Sequence, residues 1–274
     1  MSRPAGSGVA EPARDDWFDP LSGCGPREPL GAAFRSPEAK RRYNRRMFGV
    51  IADRYDLVTR VLSYGQDRRW KGRLADLAGV RAGETAIDLA CGTGDIARLL
   101  ADRDARVTAL DLTPRMLRHA RANAGRRTLR LVAGDMTHLP FADASADVVT
   151  AGYGLRNVPS LGAALAEVVR VLRPGGRFVA LDFNRPDNGV LRIAYLGYLD
   201  AVGTALGLAL HGDADTYRYI AASIRRYPGA AAVVARMRDA GFAEARWIPV
   251  LGGLMAIHVA RKESGGDRHE PVVG

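Results

Sequence analysis

Between Asp88 and Asp95 the chain reads DLACGTGD, two close glycines bracketed by two carboxylic acids. Glycine at Gly92 and Gly94 lets the backbone approach a ligand with no side chain in the way. Such a turn after an apolar run commonly cradles phosphate, yet Asp88 and Asp95 would repel a pyrophosphate. Two further apolar runs also end in acids, at Asp111 and Asp135. Asp111 is placed to accept both hydroxyls of a ribose, and Asp135 to accept from the amino group of an adenine. The pattern suits a nucleoside with a cationic tail, such as S-adenosylmethionine, whose sulfonium and ammonium groups are drawn to carboxylates. Gly92-x-Gly94-x-x-Ala97 followed by an acid about 20 residues on also fits the dinucleotide fingerprint. At this level a nicotinamide cofactor stays open.

The elements that must hold these residues follow from periodicity. TAIDLA, RVTALDL, TLRLVAGD, ADVVTAGY and RFVALDF read as strands, separated by helical stretches from Asp95, from Thr113-Pro114 and from Ser160. In the last of these, Leu161, Leu165, Val168, Val169 and Leu172 share one face, and Pro174-Gly175-Gly176 ends it. Strand–helix alternation implies a parallel sheet covered on both faces, with the ligand beyond the strand C-termini. ARWIPVL and LMAIHVA close the pattern as a strand pair.

Ahead of this core lies a helical preface that starts at Ser36-Pro37, with Tyr43, Met47, Val50 and Ile51 as its apolar stripe and Arg41 and Arg45 opposite. A second helical stretch carries Trp70, Leu74 and Leu77. Residues 1–35 are expected to form a flexible arm, 36–263 the catalytic domain and 264–274 a tail. A helical insertion or lid spans 189–226, and its Ala201–Gly212 stretch has no charged residue. That stretch is a buried core helix or an apolar, membrane-facing surface.

The 274 residues carry a net charge of +10, with 40 Lys and Arg against 30 Asp and Glu. Most of the arginines are scattered, except for Arg35, Lys40, Arg41, Arg42, Arg45 and Arg46 around the single acid Glu38. Basic strands interleaved with aromatics are missing, so the expectation is no nucleic-acid partner. Two cysteines, Cys24 and Cys91, supply no disulfide framework, and the five histidines form no metal motif. No apolar stretch is read as reaching the roughly 20 residues that cross a bilayer.

Several segments together resemble the ubiquinone/menaquinone biosynthesis C-methyltransferases: MFGVIADRYDLVTRVLSYGQDRRWK, IDLACGTGD, GDMTHLPF, YGLRNVP, EVVRVLRPGGRFVALDF, YRYIAASIRRYP and GGLMAIH. The likeness runs from about Met47 to Lys262. It implies an α/β, Rossmann-like class I methyltransferase fold, with a mostly parallel seven-stranded sheet and helices on both faces. It implies S-adenosyl-L-methionine as cofactor, and it carries cofactor contacts onto Thr93, Asp111, Asp135 and Met136. With Asp88, Gly92 and Gly94 these make the expected cofactor set, and no metal is expected. Two departures stand out. Gly152-Tyr153 replaces the usual Ser-Phe, removing one serine contact to the cofactor, and the N-terminal arm is longer than usual.

The implied reaction is methylation of a ring carbon of a prenylated quinol precursor, either demethylmenaquinol or a precursor of ubiquinol. The alternative is a methyltransferase acting on a phenolic specialised metabolite. Ring methylation needs a phenolate and an aligned methyl donor. Arg156 is the candidate that stabilises the phenolate, and Tyr55 the one that hydrogen-bonds the ring oxygen. An arginine stays charged and is a poor proton acceptor. A prenyl chain resides in the bilayer, so a cytoplasmic enzyme peripheral to the inner face of an anionic membrane is expected, held by the Lys40–Arg46 cluster and the 201–212 stretch. A homodimer is compatible with this reading.

Overall fold

The computed structural model describes residues 29–265. Cys24, His269 and most of the expected arm and tail lie outside them. The sheet contains β1 (Thr85–Leu89), β2 (Arg106–Asp111), β3 (Leu129–Ala133), β4 (Ala146–Gly152), β5 (Leu172–Phe183), β6 (Phe242–Val250) and β7 (Met255–Lys262). Their order is β3-β2-β1-β4-β5-β7-β6, and only β7 runs antiparallel to its neighbours. Alternation decides which residue enters which layer: Val179 and Leu181 of β5 join one core, Phe178 and Ala180 the other. The first core is roofed by helices α1 (Pro37–Ile51), α2 (Tyr55–Leu62), α3 (Asp67–Ala78), α4 (Asp95–Ala101) and α5 (Pro114–Asn123). The second is covered by α6 (Leu161–Val171) and by α9 (Ala230–Asp239).

The expected insertion is two helices, α7 (Gly189–His211) and α8 (Asp215–Arg226). They lie close because of two glycines. A Cβ on Gly203 would sit 3.0 Å from the Tyr217 carbonyl oxygen, and one on Gly207 2.2 Å from that of Asp213. Of the two readings of 201–212, a buried core helix or an exposed apolar surface, each holds for part of the stretch, since Gly203 and Gly207 are buried while Leu208 is exposed. By length and composition α7 is long and apolar enough to cross a membrane, which corrects the expectation that no stretch reaches that length; Arg192 and Asp200 break its apolar run. Its exposed apolar residues cluster earlier than expected, at Val190, Leu191, Ile193 and Tyr198.

Helix α1 starts as expected, with the Ala39 N–H donating to Ser36 Oγ at 3.1 Å. Its apolar stripe packs on α8, where the rings of Tyr43 and Tyr219 stack at 5.4 Å. Two cations on its other side, Lys40 and Arg41, are half-buried against the protein, while Arg42 is exposed. Lys40 donates to the carbonyls of Arg156 and Val158, at 2.9 and 2.7 Å, and Arg41 pairs with Asp135. Burial and the nearby Arg156 cation lower the Lys40 ammonium to about 8. The helix is seated in a groove, so its polar stripe closes onto the strand ends.

Candidate active site

Connections from β1 and β4 leave in opposite directions, which opens a crevice beyond their C-terminal ends. Three adjoining cavities occupy it. The first, of about 690 Å³, is lined by Phe48, Asp111, Asp135, Met136, Asn44 and Asn157 among others. The second, of about 580 Å³, is bounded by Val58, Leu62, Arg156, Phe183, Tyr219 and Met255. A smaller one of about 290 Å³ lies against Thr93, Asp95, Lys71 and Cys91. Tyr55 and Tyr153 border all three.

Asp111 receives the Gly92 N–H at 2.9 Å on one oxygen and the Thr113 N–H at 2.8 Å on the other. Each oxygen keeps a lone pair for a ribose hydroxyl. Burial raises its pKa, against the pull of those two amides. Asp135 accepts from the backbone N–H and hydroxyl of Thr137, both at 2.8 Å, and its second oxygen holds Arg41. Burial favours its neutral form, but Thr137 and Arg41 outweigh it and keep the carboxyl below its ordinary range. Gly92 stands at φ +53°, with its missing Cβ facing the Tyr55 ring.

Two expected cofactor residues, Asp88 and Gly94, line none of these cavities. Asp88 is fully buried. It receives the Ala97 N–H at 3.1 Å and the Thr150 hydroxyl at 2.8 Å, so it braces the turn from below. Burial lifts its pKa to about 7 despite both donors. Gly94 faces α5: a Cβ there would lie 3.1 Å from the Ala120 Cβ, and its φ of +87° independently favours glycine. Asp95 would repel a phosphate less than its bare charge suggests, because Lys71, at 2.8 Å, and Arg98 pair with it. They hold its carboxyl low even though burial acts the other way.

The donor set fits S-adenosylmethionine on an independent observation. The amide oxygens of Asn44 and Asn157 are buried in the wall of the large cavity and accept nothing among the described residues. Such acceptors match the amino groups of an adenosyl and methionyl ligand. Sequence reasoning missed both. Asn157 sat unassigned in YGLRNVP, and Asn44 lay in a helix read only for its stripe and its cations. When bound, this cofactor supplies a sulfonium-activated methyl group.

A model of the ubiE/COQ5 methyltransferase family matches residues 37–262. The chain belongs to that family. It is similar to the demethylmenaquinone methyltransferase of Beutenbergia cavernae, 41% identical over 216 residues covering 79% of this chain and 89% of that one. The enzyme of the same name from Thermus thermophilus is 42% identical over 217 residues, covering 78% and 98%. Among solved structures, a SAM-dependent methyltransferase of Thermotoga maritima shares the fold, with a TM-score of 0.56 at 17% identity over 79% of this chain and 99% of that one. The methyltransferase of a Haloferax volcanii complex with the Trm112 activator gives 0.60 at 22%, covering 79% and 97%. This chain is thus a SAM-dependent methyltransferase of class I fold.

The methyltransferase keeps Arg156 nearly out of solvent, paired with Asp182 at 3.0 Å and set over the Phe183 ring. Its Nε is buried without an acceptor. Burial pushes the Tyr55 hydroxyl up to about 12, so Tyr55 stays a neutral donor. Cys91 is no nucleophile, since burial raises its thiol well above the ordinary value. His258 is structural: its Nε2 meets the Ala230 carbonyl at 3.3 Å, and burial lowers it to about 4. No cluster of metal-ligating side chains occurs among the described residues.

Proposed function

We propose that this methyltransferase adds a methyl group to a ring carbon of a prenylated quinol precursor, demethylmenaquinol or a precursor of ubiquinol. The observation that carries the reading is an apolar cavity with one cationic group in its wall, Arg156, joined through Tyr55 to the cofactor cleft. A quinol ring placed there would meet the unsatisfied Arg156 Nε, whose fixed charge favours the phenolate. Tyr55 would donate to the ring oxygen, and the aliphatic walls would exclude water. The names of the similar enzymes above support the same substrate class.

The tail of such a substrate needs a path to lipid. Helix α2 and the turn after it separate the cavity from solvent: Val58 and Leu62 face inward while Leu57 and Val61, with Tyr64 in the turn, are exposed. The Tyr64 ring stacks on Tyr198 of α7 at 6.0 Å, joining this strip to Val190 and Ile193, which are 80% and 75% exposed. Surfaces of this kind mark membrane contact. The reading is a peripheral enzyme on the cytoplasmic face, docked through α2 and α7.

Purified protein supplied with S-adenosylmethionine and short-chain demethylmenaquinol, a demethylated ubiquinol precursor or a panel of soluble phenols would decide the substrate by mass spectrometry. Turnover confined to the unprenylated phenols would overturn the quinol reading in favour of a phenolic specialised metabolite.

A further inference from the structure

The smallest of the three cavities lies against the glycine turn and shares Gly92, Ala90 and Gly152 with the large one. Among the described residues that line it, Lys71 is the one cation and Asp95 the one acid. Its other polar side chains offer little to a charged ligand. The Thr93 hydroxyl already donates to Asp56 at 2.7 Å, and the Tyr153 hydroxyl to Asp67 at 2.7 Å. Position 152 supplies no side chain, and a Cβ there would lie 2.6 Å from Ile96 Cδ1.

Lys71 stands one turn after Asp67 on α3 and is buried, with its ammonium between two carboxylates. Asp67 is 2.6 Å away and Asp95 2.8 Å. Burial opposes the charge on Lys71, but these two acids outweigh it and hold its pKa above the ordinary lysine value. The ammonium is also held from one side by the Tyr153 ring, 5.7 Å from its centroid. Asp95 gives its other oxygen to Arg98. An ammonium has three N–H donors and these carboxylates engage two, while each Asp95 oxygen keeps a lone pair. With Asp67 and Asp95 set against Lys71 and Arg98, the cluster is neutral as a whole. It favours neither an anion nor a cation alone, but a group that carries both.

We infer that Lys71 and Asp95 bind the amino-acid end of S-adenosylmethionine, Lys71 donating to its carboxylate and Asp95 accepting from its ammonium. Asp111 and Asp135, in the adjoining large cavity, are placed for the nucleoside end. The other end of the cofactor bears a cation and an anion on one carbon, and taking both out of water is costly unless each finds a partner. A lysine and an aspartate side by side on one cavity wall supply the two partners. Asp67 lines none of the three cavities, so it is a positioning residue that holds Lys71 in place.

This inference holds for any ring the enzyme methylates, and its test uses no methyl acceptor. Calorimetry would compare S-adenosylmethionine, its decarboxylated form, which keeps the ammonium, and 5′-methylthioadenosine, which lacks the whole amino-acid end. The wild type should bind S-adenosylmethionine about 10- to 100-fold more tightly than the decarboxylated form, the scale of a charge-assisted hydrogen bond. Lys71→Gln should erase that preference and leave 5′-methylthioadenosine affinity within about twofold, which also shows that the nucleoside end of the cleft is intact. Asp95→Asn should weaken S-adenosylmethionine by a similar factor and 5′-methylthioadenosine little. Equal binding of S-adenosylmethionine and its decarboxylated form by the wild type would overturn the assignment, even where no variant folds. A Lys71→Gln protein that keeps the preference would overturn it too. Equal weakening of all three ligands in that variant would make Lys71 a purely structural residue.

Discussion

The Arg156 guanidinium meets the Asp182 carboxylate at 3.0 Å with both side chains almost wholly buried, and the Arg156 backbone N–H donates to the same acid at 3.1 Å. Burial raises the Asp182 pKa, and Arg156 opposes that rise. Removing one partner of such a pair typically costs about 3–5 kcal/mol of stability, so truncation is a poor probe of chemistry. Arg156→Lys is the informative change, since an ammonium can keep the pair but lacks the Nε donor. Its kcat should fall at least about 10-fold while cofactor affinity stays within about twofold, as for a group felt mainly in the transition state. Steady-state kinetics beside calorimetry checks this. Near wild-type turnover would remove Arg156 from the reaction.

Asp111→Ala should weaken S-adenosylmethionine binding by about 1.5–3 kcal/mol, the scale of lost charge-assisted hydrogen bonds. Part of the loss comes from the turn, because Gly92 N–H and Thr113 N–H lose their acceptor. Titration calorimetry showing unchanged affinity would exclude Asp111 from the ribose contact.

The two turn glycines should respond differently to alanine. At Gly94 the added Cβ meets Ala120 at 3.1 Å to its Cβ and 3.3 Å to its Cα, on a helix that cannot easily retreat. At Gly92 it meets only the Tyr55 ring edge at 3.6 Å. Both carry the left-handed backbone cost of about 1 kcal/mol. Gly94→Ala should therefore lose more stability, about 2–3 kcal/mol against about 1 for Gly92→Ala. Urea melts of the two variants decide the order.

Asp88 supplies a pH dependence opposite to that of most acids. Its folded pKa of about 7 lies above the ordinary 3.8, so between those values the native state binds more protons than the unfolded chain. Stability from this group is full below the unfolded pKa and falls as pH rises to about 7. Asp88→Asn cannot titrate. Relative to the variant, the wild type should lose stability between pH 5 and pH 8, read by denaturant melts at both pH values. A constant difference would show that Asp88 is ionised throughout.

In the docking proposed above, Lys40 and Arg41 are engaged inside the protein, so the exposed apolar strip is the expected point of attachment. Val190→Glu with Ile193→Glu, at exposed positions, should cut sedimentation with anionic liposomes at least about 10-fold without altering the melting temperature. High salt should have the smaller effect, since it screens only the remaining exposed cations. Equal sedimentation of variant and wild type would move the docking face elsewhere.

Much of the sheet was legible because its signals are local. Alternation along β5, the Ser160 cap of α6, whose Oγ accepts the Ala163 N–H at 3.3 Å, and acids at strand ends all follow from neighbouring residues. Asp111 and Asp135 reached the cofactor cleft for the same reason. The misreadings share a different cause. Whether Lys40 faces lipid or the Arg156 carbonyl depends on a contact 116 residues away. Nothing in RSPEAKRRYNRRMF distinguishes a solvated basic helix from one sealed between two layers. Asp88 is drawn away from the cavities by the Ala97 N–H and the Thr150 hydroxyl, the latter 62 residues away in sequence. The contact of Tyr153 with Asp67 was illegible for the same reason, since the two stand 86 residues apart.

The clamp of α1 on the loop after β4 also bears on how the chain leaves the ribosome. Lys40 and Asn44 emerge early, but the carbonyls they bind, at Arg156, Asn157 and Val158, follow more than a hundred residues later. Until then the helix carries a buried-type lysine and an apolar stripe with nothing to cover either, and its second partner, Tyr219, comes later still. Closure of such long loops is slow and late. A nascent chain stalled before Tyr219 would hold the glycine turn and the strand-end acids, yet the cleft would lack its roof. In chain order, the roof of the methyl-donor cleft is thus completed only after Tyr219 has been synthesised.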